Sequence, residues 1–163
     1  MLKGTRLGDI EIPDDKIVTF PYGLLGFEEM KRYILLTPNP SIPFRWLQSV
    51  DNPALAFVVI NPFIFHPEYN MQIPARQLAA IDAKQVSDIA VLVIVTVPEN
   101  PEEMTANMAG PLVINTENRM GVQAVLGDEE YSTEHFIAHE LRGLQGPHPH
   151  PVKDTLEQLA ARY

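Results

Sequence analysis

Apolar residues along this chain come in short unbroken runs fenced by proline and polar residues, not in the three-and-four spacing of long helices. Residues 55–60, LAFVVI, lie between Asp51-Asn52-Pro53 and Asn61-Pro62 and are rich in β-branched and aromatic side chains, which predicts a buried strand with a stop at each end. Residues 44–50 carry the chain's only Trp, and the short polar link at 51–53 joins them to that strand as a hairpin. Residues 89–97 form a second buried run, the expected neighbour of the first.

The remaining segments follow the same punctuation. Residues 7–12 and 16–20 flank the turn Pro13-Asp14-Asp15 and predict an N-terminal hairpin, and 33–37 resume a strand after the loop 24–31. Residues 62–69 are a connection rich in aromatics and proline. Pro74 suits a first helical position, and Leu78, Ala79 and Ile81 fall at helical spacing, so 73–88 is expected to contain a short helix. Residues 108–115 and 121–126 form a late hairpin. Past Gly127 the pattern becomes helical: Ser132 is an N-cap for a helix carrying Phe136, Ile137, Leu141 and Leu144, and Asp154 with Glu157 opens a last helix carrying Leu156, Leu159 and Ala160. The expectation is a mainly β protein: a small antiparallel barrel-like sheet with one short internal helix over 1–127, and a helical C-terminal extension, 128–163, packed on or next to it.

Composition narrows the function classes. A chain of 163 residues can bury roughly 70% of its unfolded surface as one domain, so no staple is needed. Without cysteine there are no disulfides, thiolate metal sites or thiol nucleophiles. The N-terminus lacks the apolar core of a signal peptide and no run approaches the roughly 20 apolar residues of a bilayer span, so a cytoplasmic protein free of membrane is expected. The formal charge of −9 argues against direct nucleic-acid binding and favours a partner with a basic face. The 15 prolines, each lacking the N–H that a central strand donates, fit many short strands with sharp connections.

Candidate chemistry is thin. His135 and His139 are four apart, so a helix would set them on one face as metal ligands, with His148, His150 or Glu140 as a third; exposed tail histidines are the plainer reading. Carboxylate pairs such as Glu28-Glu29, Glu102-Glu103 and Glu129-Glu130 are adjacent in sequence and point apart in a strand. Gly-rich phosphate loops, G-x-S-x-G and HExxH are absent from the sequence. The segment 104–115, MTANMAGPLVIN, places mobile thioethers where a proline turn enters a strand, either as adaptable contact surface or as core filling. Phe63, Phe65 and Tyr69 read either as a hydrophobic lid or as a docking ridge.

Three strings, FPYGLLGFEEMKRYILL, FRWLQSVDNPALAFVVINPFIFHPEY and VLVIVTVPENPEEMTANMAGPLVINTENRMGVQAVL, in that order and at compact spacing, resemble the FliW family of flagellar assembly factors over about residues 8–126. From Asp128 onward the chain does not resemble the shared core. The resemblance implies a small, mostly antiparallel, barrel-like β fold, no catalysis and no cofactor; no metal site is assigned. It also implies two protein partners in exchange: flagellin, held in the cytoplasm, and, once flagellin has left, the translational regulator CsrA, whose repression of flagellin synthesis is antagonised. Contacts are expected at strand edges and adjoining loops, namely Asp51, Asn52, Phe63, Phe65 and Tyr69 in the middle of the chain and Met104, Thr105, Asn107 and Met108 further on. The competing role for Thr105 and Asn107 is to cap turns. Two other functions stay open: a metal-binding enzyme or sensor using the C-terminal histidines, and a flagellin secretion chaperone with no translational role.

Overall fold

A computed structural model describes residues 2–127 and 130–143. Eleven strands and two short helices are present among them. β1 (Leu2–Thr5) and β2 (Gly8–Ile10) form a separate two-stranded sheet. The main sheet is built from β3 (Ile17–Thr19), β4 (Arg32–Leu36), β5 (Arg45–Ser49), β6 (Ala56–Ile60), β7 (Ile89–Thr96), β9 (Leu112–Asn115) and β10 (Gly121–Gln123), in the order β10-β9-β7-β6-β5-β4-β3 and antiparallel throughout. β7 is its branch point. One side of β7 pairs with β6; on the other its first half pairs with β9 and its second half with β8 (Thr105–Ala106), and β11 (His135–Phe136) lies beyond β8.

Alternation along these strands sends successive side chains to opposite faces, and both faces are buried. Trp46, Val58, Ile60, Val93, Val95 and Val113 join one core, covered by Phe65, Tyr69, Ile81, Met104, Met108, Ile137 and Leu141. Leu47, Val59, Leu92, Leu112 and Ile114 join the other with Tyr33, Val18, Phe20 and Leu24. Residues of β3 and β9, far apart in the strand order, share this second core, so the sheet curls around it. The two edges meet at one place. Thr19 bridges Met120, and its amide donates to the Arg119 carbonyl at 3.0 Å. Gly121 lies there against the Phe20 ring, where an added Cβ would sit 2.6 Å from the nearest ring carbon. One bridge does not close a barrel: the sheet is curled and barrel-like, and one end stays open.

Several local expectations are revised. The N-terminal hairpin is β1–β2, turning at Arg6-Leu7, with Gly4 and Gly8 at positive φ, not a pairing of 7–12 with 16–20. Pro13 and the acidic pair instead enter a 3-10 turn, Asp14–Lys16, that redirects the chain, so β3 pairs with β4. The internal helix is only Ala75–Ala80 (α1), because Asp82 takes a left-handed φ of 57° and the Asn115 amide takes the carbonyls of Ile81 and Asp82, at 3.0 and 3.3 Å. Ser132 does not open a helix. Its hydroxyl accepts from the Glu134 amide in a turn, the chain runs on extended through β11, and α2, Ala138–Gly143, begins only at the second residue after that strand. Ile137, Ala138 and Leu141 are buried in the first core, so packing continues past residue 127. The last helix anticipated from Leu156, Leu159 and Ala160, with His148 and His150, lies outside the described residues. No helix among the described residues is long and apolar enough to cross a membrane.

Candidate functional site

The open end of the curled sheet is a groove of about 620 Å³. Its floor is the inner face of the sheet, including Val18, Leu35, Leu92 and Ile114. Arg45 stands two residues before Leu47 and therefore on the same face, a charge set at the mouth of an apolar interior. Its Nε donates to the Thr37 hydroxyl at 3.1 Å, and burial lowers its pKa from the ordinary guanidinium value. Arg119, held at φ 59° in the β9–β10 turn, is the second cation of the lining.

The lip is made by Phe63 and Ile64, each 39% exposed. Their exposure follows from the turn they sit on. Asn61 caps a 3-10 turn, Pro62–Ile64, by accepting the Phe63 amide at 2.9 Å, and this tight turn sends Pro62 inward and the next two side chains outward. A second exposed apolar group lies on the loop after β3. Phe20 and Lys31 close its base through a 2.7 Å backbone bond, and the Leu25 amide donates to Gln123 Oε1 at 2.8 Å, which leaves Tyr22 and Leu25 facing solvent.

The nine positions singled out from sequence separate by burial. Phe65, Tyr69, Met104 and Met108 are core side chains, each 5% exposed or less; Met104 and Met108 fill the first core, and the Tyr69 hydroxyl donates to the Met108 carbonyl at 2.5 Å. They offer almost no surface in this conformation, and the lid reading fits Phe65 and Tyr69 better than the ridge. Phe63 alone of the three aromatics is exposed, its ring 5.9 Å from that of Tyr69. Thr105 and Asn107, half-buried, flank Ala106; Asn107 Oδ1 accepts the Ala109 amide at 3.2 Å, so this residue does cap a turn, whereas Thr105 pairs with Phe136 and Thr96 in the sheet.

Asp51 and Asn52 occupy the β5–β6 loop, at the end of β5 opposite Arg45. Asp51 accepts from Arg32 Nε at 3.0 Å and Nη2 at 2.6 Å. Partial desolvation raises its pKa, but these hydrogen bonds and the Arg32 charge outweigh it and hold the carboxyl below the usual aspartate value. Beneath the loop, the buried Gln48 amide donates to the carbonyls of Ser49, Pro53 and Leu55, which fixes its shape.

The histidines do not gather as their spacing suggests. His135 sits on β11, ahead of α2, so it shares no helical face with His139, which is exposed. Glu140 instead accepts from two imidazoles: His135 Nε2 lies 2.6 Å from Oε1 and His66 Nδ1 3.0 Å from Oε2. His66 had no role in the sequence reading, since 74 residues separate it from Glu140 and only the fold brings them together. Arg45 had no role in the sequence reading either, although a lone charge next to Trp46 and Leu47 in an apolar strand is a signal that could have marked it. Ile64 carried no comparable signal.

Taken together, the described residues form a small mainly β protein: a curled antiparallel sheet with a concave apolar surface at its open end. A family model described as FliW protein matches residues 1–137. The chain is 43% identical over 146 residues to the flagellar assembly factor FliW of Alkaliphilus metalliredigens, covering 89% of this chain and 90% of that one, and 44% identical over 136 residues to that of Natranaerobius thermophilus, covering 83% and 90%. A crystal structure of the flagellar assembly factor FliW superposes with a TM-score of 0.76 at 40% identity, covering 82% of this chain and 94% of the other. The chain belongs to the FliW family of flagellar assembly factors. The match runs through Ile137, beyond the stretch from which the resemblance was read, and takes in β11.

Proposed function

We propose that this protein works in the cytoplasm by partner exchange: it holds flagellin, and when flagellin is gone it binds CsrA and relieves repression of flagellin synthesis. The observation that carries this reading is 43% and 44% identity to flagellar assembly factors across most of the chain. The physical chemistry supports it. A formal charge of −9 repels RNA, so the protein once attached to an RNA-binding regulator disfavours RNA without covering the RNA site. Of the positions expected to touch partners, Phe63, Asp51, Asn52, Thr105 and Asn107 keep that role in this proposal, joined by Ile64 on the groove lip, while Phe65, Tyr69, Met104 and Met108 support them from the core.

Calorimetric titration of the purified protein with flagellin and with CsrA from the same organism tests the reading. Each is expected to bind alone, and flagellin to displace CsrA or exclude it. The paired change Phe63→Ala and Ile64→Ala is expected to weaken at least one complex roughly tenfold, as for an exposed apolar anchor, with little loss of thermal stability. Failure to bind either protein would refute the reading. Flagellin binding without CsrA binding would instead identify a secretion chaperone.

A further inference from the structure

We propose that His66, His135 and Glu140 form a binding site for a first-row divalent transition metal, of which zinc is the best fit. Three separate segments deliver these ligands: the turn after β6, strand β11 and the first turn of α2. One ligand atom from each, His66 Nδ1, His135 Nε2 and a Glu140 carboxylate oxygen, lies within 4.8 Å of the others. Two imidazole nitrogens and one carboxylate oxygen are the donor set of open zinc sites; calcium and magnesium prefer all-oxygen shells.

The geometry is near that of a bound ion and needs a small opening. Ligand atoms about 2.1 Å from zinc at tetrahedral angles lie about 3.4 Å apart. The His–Glu separations here, 2.6 and 3.0 Å, are those of hydrogen bonds. Replacing the two shared protons by one cation therefore requires the carboxylate to move outward, and the two imidazole nitrogens, which lie within 4.8 Å of each other, to settle at about 3.4 Å. Aromatic rings frame the imidazoles: Phe65 stacks on His135 at 6.4 Å, and Tyr69 and Tyr131 meet His66 edge-on, each at 6.4 Å. These walls fix the ring planes, yet the three side chains remain 26–29% exposed, so an ion can enter and a fourth position faces solvent. The protein's net negative charge also favours a cation here.

Occupancy would tie α2 and β11 to the turn after β6. The metal would then act as a clasp on the segment that covers Met104 and Met108, independent of which partners the protein takes.

Titration of the metal-free full-length protein with zinc chloride against a chromophoric chelator tests this. One equivalent is expected to bind, with cobalt(II) giving the intense visible bands of a low-coordinate site, and zinc is expected to raise the thermal midpoint. His66→Asn and Glu140→Gln should each weaken zinc binding at least tenfold and abolish the midpoint rise. His139→Ala and the pair His148→Gln with His150→Gln should change neither. A circular dichroism spectrum like wild type without metal shows that the His66 and Glu140 variants fold; if either does not, His135→Gln takes its place. No uptake by wild-type protein, or uptake that survives His66→Asn and disappears in the His148 and His150 variant, would overturn the proposal.

Discussion

The seam where β3 meets β10 can be tested at one atom. In Gly121→Ala the new Cβ would lie 2.6, 2.9 and 3.0 Å from three carbons of the Phe20 ring. Carbon atoms pack comfortably at about 3.5–4.0 Å, so ring or strand must retreat by about 1 Å. Phe20 has nowhere to go: it is fully buried, with the Tyr33 ring edge-on at 5.6 Å. Overpacking of this kind costs about 1–3 kcal/mol, and the stiffer unfolded chain of the alanine variant returns about 0.5–1 kcal/mol. The net loss is about 1–2 kcal/mol, which for a domain of this size lowers Tm by about 2–8 °C. Differential scanning calorimetry measures it, and the double mutant cycle with Phe20→Leu isolates the contact. The smaller ring-free side chain should recover part of the loss, with a coupling of at least about 0.5 kcal/mol. An unchanged Tm in Gly121→Ala, or strict additivity in the cycle, would refute the reasoning that the two edges are sealed by this contact.

Three further outcomes follow from buried or paired polar groups. The Tyr33 hydroxyl is buried with no hydrogen-bond partner among the described residues, so Tyr33→Phe should be neutral or stabilise by up to about 1 kcal/mol in denaturant melts. Burial and then the nearby Asp51 charge push the Tyr33 phenol up to about 12. The unfolded chain ionises near 10, so above that pH the wild type should lose stability that Tyr33→Phe keeps, and parallel loss in both would count against the burial argument. Asn115→Ala strips the amide that takes the Ile81 and Asp82 carbonyls and the oxygen that accepts the Glu117 amide, and should cost about 1–3 kcal/mol, with faster hydrogen exchange in the segment after α1. Arg32→Gln breaks the pair with Asp51 and should cost only about 0.5–1 kcal/mol at pH 7, because the pair is half-exposed. The Asp51 carboxyl is held below its usual value in the folded state, so this difference should close in urea melts as pH falls below about 3.8, and a gap that persists in acid would mean Arg32 acts through packing.

The long strands were legible because both faces of the sheet are buried, so β6 and β7 read as continuous apolar runs with proline or Asn-Pro stops. What local sequence did not carry was pairing that depends on a distant partner. β8 and β11 are two residues each and exist only because they hydrogen-bond to one another and to β7. Ser132 illustrates the cost of reading one segment alone: it is a sound N-cap, yet tertiary pairing holds His135 and Phe136 extended and delays the helix. Exposure was similarly hidden. Phe63 and Phe65 are the same residue type two positions apart, and only the 3-10 turn sends one out and the other in. The reading that joined His135 with His139 applied helical spacing to a residue that lies on a strand, and so overlooked His66.

The branching at β7 has a consequence for biosynthesis. Ile137 and Leu141 finish a core that β5 and β6 begin, and β11 shields the outer side of β8. While the ribosome has not yet released that stretch, the thioethers of Met104 and Met108 lack their cover and β8 has an unclaimed rim. The growing polypeptide therefore carries an uncovered apolar surface and an open strand edge until residues 135–141 have emerged, which makes that interval its most aggregation-prone.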